Sequence, residues 1–236
     1  MSGTQMRQIL ISSPRLHTFV TLLQGGLTGS KVPHFSAKVP NFMAKDFIDL
    51  DSSSNALKPW KCEYSLRVFH AKILGIPRPD VTTDRRGFPR LDVLQEAYPG
   101  ESQELQSRVY ERLAKFTRLV KLGLGHDDRD LNDILLDSIN NIDGNHVFGD
   151  DDHQYDCLEM TLKSGLGMLE GLKKLKELNV MRMTTRIGVD EVKWMRKNWP
   201  NLQTIIGLDI RGNEMEAAQW LKEECPQVKL TAYSMD

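Results

Sequence analysis

The sequence predicts an α/β fold of repeated helix–strand units, and three observations carry that expectation. A short Leu-x-x-Leu-x-Leu-like pattern recurs, anchored at Leu16, Leu119, Leu175, Leu202 and Val228. The last two intervals are 27 and 26 residues, inside the period range of leucine-rich repeats. Within each unit the apolar spacing switches from steps of three and four to steps of two, the signature of a helix followed by a strand. One such unit cannot bury its own apolar face, so neighbours must stack. The expected architecture is an α/β leucine-rich-repeat solenoid forming one domain over residues 1–236. It would have a parallel concave sheet, convex helices and long irregular insertions.

The elements follow in order. Met6, Ile9 and Leu10 define a first helix, and Leu16, Phe19 and Thr21 the strand after it. Residues 23–42, rich in Gly, Ser and Lys, read as a loop, with Met43 to Leu50 a weak strand candidate. Ser65 to Ile73 reads as a repeat strand around Leu66, stopped by Pro77 and Pro79. Residues 77–104 carry Pro, Gly, Asp and Arg and read as a loop. Val109, Leu113 and Phe116 make a helix face, and Leu119, Leu122 and Leu124 the next strand. Residues 125–156 form an acidic insertion, part of it helical around Leu131 to Ile139. Cys157 to Leu162 alternates and reads as a strand. The three remaining units place strands at Leu175–Val180, Leu202–Gly207 and Val228–Tyr233. Helices precede them at Met168/Leu169/Leu172, Val192/Met195/Trp199 and Ala218/Leu221/Cys225. Three residues beyond the anchors, Phe19, Leu122, Leu178, Ile205 and Thr231 should point into the core.

Composition narrows the function classes. With 31 Lys+Arg against 32 Asp+Glu the net charge is −1, which argues against a dedicated nucleic-acid binder. Three dispersed cysteines form neither a disulfide framework nor a zinc spacing. No apolar run reaches membrane-spanning length and no secretory leader is visible, so a cytoplasmic or nuclear location is expected. A hydrophobic fraction of 40% is thin for one rounded core. It suits a solenoid, which needs only a narrow apolar seam per repeat.

Several constellations suggest chemistry and are outweighed. His126, Asp127, Asp128, Asp130, His146, Asp150, Asp151, Asp152 and His153 offer hard and imidazole donors, yet match no metal-loop spacing. A solvated acidic loop is the better reading, with a metal-dependent enzyme as the remote alternative and no metal or cofactor expected. Gly165-Leu166-Gly167 lacks the third glycine of a dinucleotide fingerprint and reads as a strand-to-helix turn. Trp194 and Trp220, 26 apart, should pack between neighbouring helices. Lys173, Lys174, Lys176, Arg182 and Arg186 read as a solvated face. No nucleophile elbow is present.

Two blocks carry a family resemblance. Trp60-Lys61-Cys62-Glu63-Tyr64-Ser65-Leu66 runs on to Gly75-Ile76-Pro77-Arg78-Pro79-Asp80. Cys157-Leu158-Glu159-Met160-Thr161-Leu162-Lys163-Ser164-Gly165-Leu166 runs on to Leu178-Asn179-Val180-Met181-Arg182-Met183, Gly188-Val189, Trp194-Met195 and Asn198-Trp199-Pro200. Over residues 6–236 the chain resembles the C-terminal repeats of the fungal F-box/leucine-rich-repeat (ribonuclease-inhibitor-like) family. Cys225-Pro226 is similar to the cysteine-containing repeat class of F-box proteins. The resemblance implies a substrate receptor of an SCF-type ubiquitin ligase, whose repeats hold a protein target. A Skp1-type adaptor would join only through an F-box upstream, since none fits before Met6.

The expected function is a non-catalytic protein-interaction module, with a freestanding scaffold or inhibitor as the alternative. The concave strand residues would choose the partner. By alternation these are Val68, His70 and Lys72; Lys121; Glu159 and Thr161; Glu177, Asn179 and Met181; and Thr204 and Ile206. Neither nucleic acid nor membrane is an expected partner.

Overall fold

A computed structural model describes residues 3–21, 42–51, 53–78, 99–125, 158–181, 183, 185–208, 210 and 214–231. The elements run α1 (Gly3–Ser12), β1 (Thr18–Val20), β2 (Phe42–Met43), α2 (Ala44–Ile48), β3 (Val68–His70), β4 (Ile73–Leu74) and α3 (Pro99–Ala114). They continue with β5 (Lys121–Gly123), a 3₁₀ helix (Leu166–Gly171), β6 (Glu177–Asn179), α4 (Val189–Asn198), β7 (Thr204–Ile206), α5 (Met215–Glu224) and β8 (Lys229–Thr231). Six of the strands form one parallel sheet in the order β1-β3-β5-β6-β7-β8, while β2 and β4 pair separately. Each strand of the large sheet therefore lies beside its predecessor in it. Right-handed crossovers joining parallel strands in an unreversed order place the connecting helices on one face.

The register explains why those residues became strands. Phe19, Phe69, Leu122, Leu178, Ile205 and Leu230 are aligned across the sheet as the middle residues of three-residue strands. The first five are buried. Each contributes roughly 1.5–3 kcal/mol through burial of its side chain. The helices complete the seam with Met6 and Leu10, Val109 and Leu113, Val192 and Met195, and Ala218 and Leu221. The filling changes along the stack. The first half is aromatic: Phe19 stacks on Phe69 at 5.8 Å, Phe69 meets Phe116 at 5.8 Å, and Phe47 meets Trp60 edge-on at 5.5 Å. The second half is mostly aliphatic, with buried Trp199 donating its indole N–H to the Leu169 carbonyl at 2.9 Å.

Several expectations are corrected. Met43 to Leu50 is chiefly helix rather than strand. Ala44, Phe47 and Ile48 sit three and four apart and are buried together, and left-handed Asp49 (φ 48°) ends the turn. The loop expected over 77–104 ends early, because α3 starts at Pro99; a proline is tolerated there since the first helical N–H needs no partner. The strand expected over Cys157 to Leu162 is absent from its described residues, 158–162. There the Glu159 N–H goes to Gln106 Oε1 (2.9 Å) and the Met160 N–H to Tyr110 Oη (3.1 Å), with Met160 at φ 61°. Side chains of α3 take the donors a neighbouring strand would have used. In the last unit Leu230, not Thr231, occupies the inward position, because the turn from Val228 is one residue shorter than in the other units. Trp194 packs edge-on against Trp199 at 5.3 Å, and Lys193 Nζ lies 6.0 Å from the Trp220 ring. The acidic insertion except Gly125, the loop over 23–42 except Phe42, and Cys157 lie outside the described residues.

A buried ion network ties the first three helices together. Arg112 of α3 donates to Glu63 Oε1 and to the Ile48 carbonyl, both at 2.8 Å, and lies 4.4 Å over the Trp60 ring. Trp60 donates its backbone N–H to Glu63 (3.0 Å) and its indole N–H to Asp49 (3.3 Å), and Asp49 also pairs with Arg7 at 3.3 Å. Desolvation holds the Arg112 pKa below its ordinary value, opposed by the Glu63 charge.

Candidate functional site

The first and third residues of each strand flank its inward middle residue, so they share the sheet's other face. Register sorts them into two rows. One is Thr18, Val68, Lys121, Glu177, Thr204 and Lys229; the other is Val20, His70, Gly123, Asn179, Ile206 and Thr231. Thr18, Lys121 and Lys229 are exposed, and Val20, Val68, His70, Glu177, Thr204, Ile206 and Thr231 are half-buried. Lys121 Nζ meets Glu177 Oε2 across adjacent strands at 2.7 Å. Solvent access limits such a pair to roughly 0.2–1 kcal/mol.

Of the residues expected to choose a partner, Val68, His70, Lys121, Glu177, Thr204 and Ile206 lie in these rows and are not buried. Asn179 is in the second row but is buried; its Oδ1 accepts the Met181 N–H at 2.9 Å and so shapes the turn leaving β6. Met181 is also buried. A Cβ on Gly125 would stand 2.2 Å from its carbonyl oxygen, and one on Gly207 would stand 2.3 Å from its Cα and N. Two glycines thus let three backbones close on one another where β5, β6 and β7 end. Lys72 is buried because the chain leaves the large sheet after His70: the Lys72 carbonyl accepts from the Phe42 N–H at 2.9 Å, feeding the small sheet. Glu159 and Thr161 lie off the large sheet. The Glu159 N–H is held by α3, and buried Thr161 exchanges hydrogen bonds with Ser164 at 3.1 Å in each direction.

Sequence reasoning missed Thr18, Val20, Lys229 and Thr231. Alternation about Phe19 identifies the first two; the shortened last turn hides the others. It also missed why position 123 is glycine. The His70 ring fills the space a side chain would need, since a Cβ there would stand 2.4 Å from His70 Cδ2. That placement brings His70 Nε2 to 3.0 Å from the Gly125 carbonyl. The face therefore offers a histidine of fixed orientation, one cross-strand ion pair, hydroxyls at Thr18, Thr204 and Thr231, and apolar patches at Val20, Val68 and Ile206. This is recognition chemistry of mixed polarity. Among the described residues no group of three or more His, Cys, Asp or Glu is arranged to hold a metal ion. Within the same residues no helix is long and apolar enough to cross a membrane.

No protein-family model, no curated protein and no solved structure matches this chain.

Proposed function

We propose that the chain is a non-catalytic protein-interaction module: a leucine-rich-repeat-type solenoid whose open sheet face is concave and holds a protein or peptide target. The observation that carries this reading is the sheet itself. Six short parallel strands in sequential order and one register present two continuous rows of mixed side chains, as stacked repeats do. An interface of standard size, about 800 Å² per partner, draws on several strands at once. The resemblance to F-box/leucine-rich-repeat proteins supports the narrower reading of a target receptor in ubiquitination.

The test is proximity labelling in the source cell, followed by affinity measurement with the recovered partner. The variant is His70→Ala/Lys121→Glu/Glu177→Lys/Thr204→Ala, all on the open face. A variant that melts like the parent and loses at least tenfold in affinity (about 1.4 kcal/mol) supports the reading; unchanged affinity removes the face from consideration. Co-purification of a Skp1-type adaptor with the native protein from that cell separates a ligase receptor from a freestanding scaffold or inhibitor.

A further inference from the structure

The turns that enter the strands carry a charge pattern distinct from that of the open face. Exposed Arg15 precedes β1, Arg67 precedes β3, Arg118 precedes β5, Lys174 and Lys176 precede β6, and Lys229 opens β8. Backbone hydrogen bonds knit these turns into one edge. The His17 carbonyl accepts from the Arg67 N–H (2.8 Å), that of Arg67 from Val120 (2.7 Å), that of Val120 from Lys176 (2.8 Å), that of Lys176 from Gln203 (2.8 Å), and that of Gln203 from Lys229 (2.8 Å). Across residues 13–17, 57–67, 115–120, 171–176, 198–203 and 225–229 the sole carboxylate is Glu63. It is buried and bound to Arg112. Exposed Glu170 and Glu224 belong to the helical segments behind these turns. Among the described residues none of the six cations is in an ion pair. In a protein of net charge −1 this is a local concentration of one sign, and it costs self-repulsion.

We propose that this amino-terminal edge of the sheet docks an acidic segment of a partner protein, a run of Asp and Glu side chains lying extended across the strand ends. The inference goes beyond the open-face reading and holds independently of it. Six strands about 4.8 Å apart make an edge roughly 24 Å long, which an extended segment covers in about seven residues. Hydrated ammonium groups on flexible stems suit loosely strung carboxylates, and the arginines can grip them bidentately. A single-stranded nucleic acid fits less well, because such ligands are held by successive stacking aromatics. Tyr64 is exposed in these turns, but Trp60, Phe116 and Trp199 are buried.

The test is fluorescence anisotropy with the full chain and three labelled probes: an Asp/Glu peptide of about twelve residues, its Asn/Gln counterpart, and a single-stranded RNA of equal charge. The triple variant Arg118→Glu/Lys174→Glu/Lys176→Glu is compared with Lys193→Glu/Arg196→Glu/Lys197→Glu. The second set makes the same charge change on exposed positions of α4. All six side chains are exposed, and melting temperature confirms that both variants fold. The expected result is binding of the acidic peptide alone, weakening as salt screens the charges. It should fall at least about tenfold in the edge variant and less than about threefold in the α4 variant. Equal loss in both variants, no loss in the edge variant, equal binding of the Asn/Gln peptide, or RNA binding as tight as the peptide would overturn the proposal.

Discussion

Arg112 supplies the sharpest test of how the first three helices are held together. Arg112→Met keeps an unbranched chain over Trp60 and removes only the guanidinium. Glu63, 5% exposed, would then keep its charge with the Trp60 N–H as its remaining donor, and the Ile48 carbonyl would lose its bond to Arg112. An orphaned buried carbonyl costs about 1–3 kcal/mol. Breaking a buried ion pair from one side costs about 3–5 kcal/mol in all. Arg112 Nε has no hydrogen-bond partner, so the intact network is itself incompletely satisfied, and the lower part of that range is expected. For a chain of this size, 3 kcal/mol lowers the melting temperature by roughly 6–12 °C. Glu63→Gln keeps an acceptor for the Trp60 N–H while removing the charge. The double variant should therefore be more stable than the two single losses summed, by about 2 kcal/mol of coupling. Urea unfolding of the four proteins measures this. An Arg112→Met protein within about 1 kcal/mol of the parent, or strictly additive losses, would refute a charge network that locks α2 and α3 to the turn before β3.

Gly207→Ala should destabilise by more than about 2 kcal/mol, because φ is +92° and the new methyl meets Met181 backbone at 2.3 Å. Gly125→Ala should cost as much through its 2.2 Å approach. Gly167→Ala, with nothing within 4 Å, should stay within about 0.5 kcal/mol in the same unfolding assay. Burial pushes the Cys62 thiol from its ordinary value near 9 up to about 11. The folded protein thus holds that proton more tightly than the unfolded chain does. Its stabilisation is complete below about pH 9 and is lost as pH rises through 11, a slope that Cys62→Ala should remove from the pH dependence of unfolding. Native Cys62 should also resist iodoacetamide at pH 8 and react once urea is added; equal rates in both states would contradict its burial. Tyr110→Phe removes the hydroxyl that accepts from Met160 N–H and should cost roughly 1–3 kcal/mol by thermal melting.

The strand positions were legible because each middle residue is a large apolar side chain at a fixed offset from an anchor. Phe69, Leu122, Leu178 and Ile205 follow that rule. The rule failed where the chain changed partner. Lys72 has the outward parity of His70, but the chain crosses to the small sheet between them, and parity counts only within one strand. Leu158 and Met160 alternate like a strand because α3 lies on one side of them, with the Glu159 and Met160 amides satisfied from positions about fifty residues away. No local pattern encodes such partners. The shortened turn before β8 moved Leu230 into the place expected for Thr231. Half of the face was thus readable from periodicity, and the rest depended on where strands end.

The strand order also sets a timetable for folding. Aligned middle residues are 50, 53 and 56 positions apart from Phe19 to Leu178, but 27 and 25 apart from Leu178 to Leu230. Closing a chain twice as long costs only about 0.6 kcal/mol more entropy, yet that cost precedes the contacts that repay it, and three such closures accumulate in the first half. The unit from β6 to β8, with α4 and α5 packed together, is therefore where the nucleus is expected. The strands from β1 to β5 are then expected to settle last, adding one by one to a template made by β6 to β8; pulsed hydrogen exchange that protects the β1 and β3 amides before those of β6 and β7 would refute this order.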